Sequence, residues 1–263
     1  MTLRYFPRFD LENLVDADDV CFGYDDSMVI GPVSLGIRRG HRISIVGPSG
    51  SGKSTLIYLL SGLLKPSGGV VRYSEEIAGI DPKPAFGLGF QSSDLVPWLS
   101  ALDNTLLPLR LSGCAVGDLE RSAALDLLGM LGLDADSSKL PREMSGGMKK
   151  RVSLARALVT QSPIVLLDEP FGELDEVLRR RLVLWLDAYL AEIGSACILV
   201  THSFEEAIYF ADEVLVLNGS PSTISGAVAI DRRAVSQTGF LASEAYRAYE
   251  AQLDRLLRNG VVD

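Results

Sequence analysis

Apolar residues fall into two textures along the chain. Short unbroken runs bounded by turn residues alternate with longer stretches where they recur every three or four positions. The first texture marks strands buried on both faces and the second marks amphipathic helices. Their alternation predicts an α/β fold with a mostly parallel sheet. RISIV (42–46), IVLLD (164–168) and ACILVTH (196–202) read as buried strands. KSTLIYLLSGLL (53–64) reads as a helix, stopped by the proline and glycines of KPSGG (65–69). EVLRRRLVLWLDAYLAEI (176–193) has helical spacing and the length of a crossover, and EVLVLNGSPSTISGAVAI (213–230) reads as two strands joined by a turn.

Residues 92–160 differ. ALDNTLLPLRL, GDLERSAALDLLGMLGL and SGGMKKRVSLARALVT all carry helical spacing, with no convincing strand among them. They predict an α-helical subdomain inserted between strands of the core. LVDADDVCFGY and PVSLGI, ahead of Val46, are strand-like and predict an N-terminal antiparallel β subdomain beside the core. SEAYRAYEAQLDRLLRNG near the C-terminus is an amphipathic helix whose pattern suits packing.

Composition narrows the function classes. The 263 residues suit one large domain or one domain with a lobe inserted in it. A formal charge of −9, from 25 basic and 34 acidic side chains, argues against a nucleic-acid partner held by bulk positive charge. Cys21, Cys114 and Cys197 stand far apart without metal-ligand spacing, and the N-terminal stretch has no apolar signal core. These features predict reduced thiols in a cytosolic chain. The most apolar window, LVLWLDAYLAEIGSACILV, contains Asp187 and Glu192, so no membrane-spanning segment is expected.

One loop carries explicit chemistry. Gly47, Pro48, Ser49, Gly50, Ser51, Gly52, Lys53, Ser54 and Thr55 spell GPSGSGKST, between a predicted strand and a predicted helix. Glycines at this spacing let main-chain N–H groups converge on phosphate oxygens, and the helix adds the positive end of its dipole. Lys53 would reach the β- and γ-phosphates of a nucleotide, and the Ser54 hydroxyl would ligate Mg2+. This makes the core a P-loop NTPase, with a nucleotide's phosphates and Mg2+ as its expected ligands. Asp168 ends a predicted strand, where ligands sit in open α/β sheets, and would hold the metal. Glu169 follows, placed to polarise a water. SGG at 145–147 admits two readings: a turn, or a second anion site opening a helix whose N-terminus Ser145 caps.

Taken in order, these motifs resemble the ATP-binding subunit of an ABC transporter over roughly residues 16–230. The resemblance settles SGG as the family's signature motif. It implies that Ser145, Gly146, Gly147 and Met148 grip the γ-phosphate of ATP held by a second copy in a head-to-tail dimer. It implies that Tyr24 stacks on adenine and that Gln91 joins Mg2+ and the attacking water. It also implies that Asp175, after Leu174, lies in the loop crossing to the partner, and that His202 is the switch histidine contacting the γ-phosphate. Glu169, His202, Gln91 and Lys53 are the implied catalytic set, and Ser54, Gln91 and Asp168 the implied metal set. The implied organisation is a single ABC ATPase domain. Residues 1–91 and 161–235 form its nucleotide-binding core, 92–160 its helical subdomain and 236–263 a C-terminal helical extension.

Local features, among them FQSSDLVPW, SGGMKKRV and DEPFGELD, resemble the branch importing nitrate, taurine and other sulfonates. That branch implies permease subunits docking near Gln91–Trp98, an extracytoplasmic solute-binding protein, and a place on the cytoplasmic face of a prokaryotic cell membrane. From the residues alone, Trp98 is either an apolar docking notch or core. Lipid-trafficking, export and non-transport ABC ATPases are the alternatives. Only 92 residues separate Lys53 from Ser145, without sustained heptads, which leaves no room for the coiled coil of chromosome-maintenance types. Three positions depart from the family pattern. Met148 replaces glutamine, Glu173 replaces a small residue before Leu174-Asp175, and His41 follows Gly40 where glutamate is usual. A carboxylate at Glu173 would tune closure of the dimer.

Overall fold

The computed structural model describes residues 13–25, 27–80, 85–235 and 239–259. The first twelve residues, to which the reading of the N-terminus applies, and residues 236–238 and 260–263 of the C-terminal extension lie outside the described residues. In chain order the elements begin with β1 (Asn13–Tyr24), β2 (Ser27–Arg38), β3 (Arg42–Val46), α1 (Lys53–Leu60), β4 (Gly68–Tyr73) and α2 (Glu75–Ala78). Next come β5 (Phe86–Gly89), α3 (Ala101–Leu111), α4 (Asp118–Met130), α5 (Gly146–Leu158), β6 (Ile164–Asp168) and α6 (Glu176–Ile193). The chain continues through β7 (Ala196–Val200), α7 (Phe204–Phe210), β8 (Glu213–Gly219), β9 (Ser222–Ala229), α8 (Arg232–Val235) and α9 (Glu244–Asn259). They form two compact units. One holds the described residues up to Ala78 and from Ala196 onward, and the other spans Gly79–Ser195.

In the first unit the strands run in the order β4-β1-β2-β9-β8-β3-β7. β3 is fully buried and pairs in parallel with β7 on one side and β8 on the other, which suits its apolar residues Ile43, Ile45 and Val46, with Ser44 buried among them. β1 pairs antiparallel with β2, as expected of the strand-like N-terminal segments, and also with β4. β8 and β9 form the predicted hairpin. α9 lays Leu253 into a core with Val214, Val216, Val228 and Ile230, and Phe240 sits edge-on to Tyr209 and Tyr246 at 5.7 Å. α1 ends earlier than its apolar pattern suggested. Ser61 donates to Ile57, and Gly62 takes the left-handed conformation at φ +77, which only glycine adopts without a steric cost.

In the second unit β5 and β6 pair in parallel. α3, α4 and α5 form the helical subdomain, burying Leu106, Leu109, Leu127, Leu128, Val152 and Leu154. Two strands, β4 of the first unit and β5 of the second, were not evident in the pattern because glycines open the one and interrupt the other. In β5 the interruption has a packing cause: a Cβ on Gly87 would collide with the Ala157 carbonyl, and one on Gly89 would lie 2.7 Å from Leu167 Cδ2. Helix α5 therefore lies directly on the strand's main chain. No described helix is long and apolar enough to cross a membrane.

Candidate functional site

The first unit carries the phosphate loop at the C-terminal end of β3, running into α1. Gly50 and Gly52 adopt φ +80 and +78, and Gly50 has open space where a side chain would stand. A Cβ on Gly47 would collide with the main-chain oxygen of Leu217, and one on Gly52 would meet Ile30 Cδ1 at 2.6 Å. The glycines are thus required by conformation at two positions and by close packing at two. Lys53 is buried, and its ammonium donates to the carbonyls of Gly47 at 3.0 Å and Pro48 at 2.8 Å, arching the loop around its own charge. The Ser51 hydroxyl is buried with no hydrogen-bond partner among the described residues. A loop of this curvature, with a cation inside and an orphaned hydroxyl, fits a phosphate chain.

Tyr24 ends β1 with 51% of its surface exposed and rests edge-on against Phe22 at 4.9 Å. At that exposure it is no core tyrosine, and its ring is available for stacking. His202 follows β7 and is exposed, so it is not a core histidine either. Its neighbours are tied down. Thr201 donates to the carboxylate of the buried Glu206, and Ser203 caps α7 by accepting from Glu206 N at 3.3 Å.

The second unit gathers the acidic residues, Gln91 and the second glycine loop. Asp168 closes β6 and is buried at 2% exposure. Glu169 follows at φ +47, a left-handed conformation uncommon outside glycine and typical of working positions. Gln91 Nε2 donates to Glu169 Oε2 at 3.5 Å, so the structure brings these two predicted residues together. Ser145 caps α5 as predicted, its hydroxyl accepting from Met148 N at 3.2 Å. The main chain of Gly146 and Gly147 opens that helix, and Leu174 Cδ2 would lie 3.1 Å from a Cβ on Gly147. Asp175 caps α6, accepting from Leu178 N at 2.9 Å. Among the described residues no group of three metal-ligating side chains stands ready to hold a metal unaided. Hydroxyl, carboxylate and amide oxygens are the hard donors Mg2+ takes together with phosphates; within the second unit Asp168 and Gln91 carry such oxygens, and within the first Ser54 does.

Sequence reasoning missed three residues that organise this unit. Arg156 of α5 donates to the carbonyls of Asp94 at 3.0 Å and Ser93 at 3.1 Å, holding the segment after Gln91. Lys150 of α5 donates to the carbonyl of Gln91. Asn104, fully buried in α3, accepts from Val96 N at 2.8 Å and donates to the carbonyls of Val96, Leu99 and Ser100. That clamp presents Trp98, 76% exposed, and excludes its reading as core. A polar residue interrupting the apolar spacing of ALDNTLLPL was the available signal for Asn104.

Comparison with known proteins agrees with this geometry. Residues 30–172 match the family model described as ABC transporter. The taurine import ATP-binding protein of Pseudomonas aeruginosa is 39% identical over 206 residues, 77% of this chain and 76% of its own length. The aliphatic sulfonates import ATP-binding protein of Rhodococcus jostii is 41% identical over 207 residues, covering 78% and 80%. A nitrate import ATP-binding protein of Synechocystis is 34% identical over 222 residues, covering 83% and 82%. Among solved structures, the dimeric ATP-binding cassette MJ0796 bound to ADP and Pi superposes with a TM-score of 0.72 at 30% identity, covering 82% of this chain and 99% of that one. A glycine loop built for a phosphate chain, a capped second glycine loop and this degree of likeness have one common explanation: the chain belongs to the ABC transporter family and is one of its ATP-hydrolysing subunits.

Proposed function

We propose that the chain powers uptake of a small anionic solute of the sulfonate or nitrate class, through separate membrane permease subunits, by ATP-driven closure of a head-to-tail dimer. The observation that carries this reading is the Ser145 cap on α5, which leaves the N–H groups of Gly146 and Gly147 as a second anion site in addition to the phosphate loop. A P-loop kinase has no use for that site. Likeness to three importers of sulfonates, taurine and nitrate supports the direction of transport and the solute class.

Residues Gly47–Thr55 bind the phosphates of ATP, with Lys53 turning its ammonium from loop carbonyls to phosphate oxygens. Tyr24 stacks on the adenine. Ser54, Gln91 and Asp168 hold Mg2+, which when bound neutralises charge developing on the phosphates. Glu169 takes the proton of the attacking water, oriented by the Gln91 amide, and His202 donates to the γ-phosphate. Ser145–Met148 of one copy grip the γ-phosphate held by the other, and Asp175 leads the loop that crosses between copies. Differential binding of ATP to the closed dimer drives closure, and hydrolysis releases it.

Residues 92–160 act as the helical lobe that meets the permease, with the Asn104-clamped Trp98 as its apolar anchor. The assembly sits on the cytoplasmic face of the membrane and works with an extracytoplasmic solute-binding protein. Mild-detergent purification of the tagged chain from its native membranes, followed by mass spectrometry, tests this. A stoichiometric multi-helix membrane protein is the expected companion. Recovery alone, or with ribosomal or DNA-associated proteins, overturns the transport reading.

A further inference from the structure

Lys150 lies on α5 five residues beyond Ser145, and only 6% of it is exposed. Lysines are rarely this buried unless their charge is compensated. Among the described residues no carboxylate pairs with this one. Its ammonium instead donates to two main-chain carbonyls, that of Gln91 and, at 3.5 Å, that of Glu169. These are the two residues whose side chains face each other across 3.5 Å. Glu169 also holds φ +47, a conformation that persists only where the surroundings enforce it. A three-donor ammonium on a long stem can serve both carbonyls at once, and ionic donors make the stronger hydrogen bonds.

The first turn of the same helix carries the second anion site, from Ser145 to Met148. A helix moves as a rigid rod over so short a span, so displacement of that first turn is carried to the Lys150 ammonium. We infer that Lys150 is a positioning residue for hydrolysis, tying α5 to the main chain of Gln91 and Glu169 so that a phosphate seated at Ser145–Met148 sets the carboxylate that takes the water's proton. This rests on the ATPase reading above. Lys150 touches no reacting atom itself.

The test uses the full chain with Lys150→Met, which keeps the stem and removes the donors, and Lys150→Gln, which keeps one donor group. Steady-state ATPase and binding of trinitrophenyl-ATP are measured side by side. In Lys150→Met, kcat should fall about tenfold or more while KM and nucleotide affinity stay within about twofold, the signature of lost positioning. Lys150→Gln should retain an intermediate kcat. In single turnover, adding Lys150→Met to Glu169→Gln should cause no further loss, because both changes act on one step. Unaltered kcat in Lys150→Met beside an active wild type overturns the inference alone, as do losses that multiply in the double variant. Should Lys150→Met not fold, a wild-type kcat in Lys150→Gln overturns it equally. A wild type that binds nucleotide without turning it over removes the hydrolysis reading and this inference together.

Discussion

Glu173 holds its carboxylate over Gly146, so close that a Cβ on that glycine would collide with Glu173 Oε2. The carboxylate thus stands at the first turn of α5, where the helix dipole favours an anion. Glu173 itself adopts φ +66, a left-handed conformation that a non-glycine residue enters at a cost. An incoming phosphate would have to share this field with a fixed negative charge. Glu173→Ala should therefore lower the ATP concentration for half-maximal dimerisation by about threefold or more. It should also lose about 0.3–1 kcal/mol of stability as the helix end loses its anion. Size-exclusion or light-scattering titration with ATP reads the first effect and thermal melting the second. Identical dimerisation curves would sink the idea.

Glu169→Gln keeps the side chain's volume and its reach toward Gln91 but removes the proton acceptor. Turnover should drop by about 10²–10⁴-fold while ATP still binds and holds the closed dimer. A phosphate-release assay with a parallel gel-filtration run decides it. Hydrolysis at the wild-type rate would mean that Glu169 is not the base.

The phosphate loop tolerates no Cβ at Gly52, which combines φ +78 with the packing of Ile30 Cδ1 at 2.6 Å. Gly52→Ala should cost about 1–2 kcal/mol from the backbone conformation before any collision is counted. Lys53→Ala, by contrast, has no φ constraint to violate and should weaken ATP binding about 10–100-fold through loss of a charged hydrogen bond, along with the support Lys53 gives the Gly47 and Pro48 carbonyls. Denaturant melts and nucleotide titrations of the two variants separate the structural effect from the binding effect.

Asn104 is fully buried and bonds four main-chain atoms of the segment Val96–Ser100. Asn104→Leu strands those groups, so a loss of about 1–3 kcal/mol is expected. Trp98→Ala removes an exposed ring and should leave stability nearly unchanged while abolishing recovery of the membrane companion. Equal recovery with Trp98→Ala would remove Trp98 from the docking surface.

Burial pushes the His41 imidazole below its ordinary value of 6.5; the nearby Asp212 carboxylate opposes this, and Arg38 and Arg42 add to it. His41 also leaves its Nδ1 buried without a hydrogen-bond partner among the described residues. The unfolded chain therefore binds the proton more readily than the folded one. The stability this neutral histidine contributes is fully present above pH 6.5 and is lost as pH falls through its lower folded value. Wild type should lose more thermal stability than His41→Gln between about pH 7 and pH 5. Parallel melting curves across that range would rule the effect out.

Much of this architecture was readable from local pattern. Parallel strands β6 and β7 are buried on both faces, so their apolar runs Ile164–Leu167 and Ala196–Val200 are unbroken, and in β3 only Arg42 and Ser44 depart from that pattern. Caps are local as well: Ser145 and Asp175 each bond an N–H three residues on, and the residue type alone predicts such a bond. The phosphate loop is contiguous, so its chemistry is written in nine consecutive residues. β4 and β5 were not readable, because the glycines that break their pattern are explained by neighbours far along the chain. For β5 that neighbour is Ala157 of α5, about seventy residues away.

The amino-acid sequence was sufficient for the α/β class, the phosphate loop, the acidic pair Asp168-Glu169 and the capped glycines at 146 and 147, because each arises from bonds or burial within one short segment. Whether Trp98 and His202 face solvent, whether Glu173 covers Gly146, and which carbonyls Lys150 serves were matters for the folded chain. Exposure depends on what the rest of the fold leaves uncovered and the other two on groups from distant segments coming together, and a side chain's type carries no record of which distant atoms it will meet.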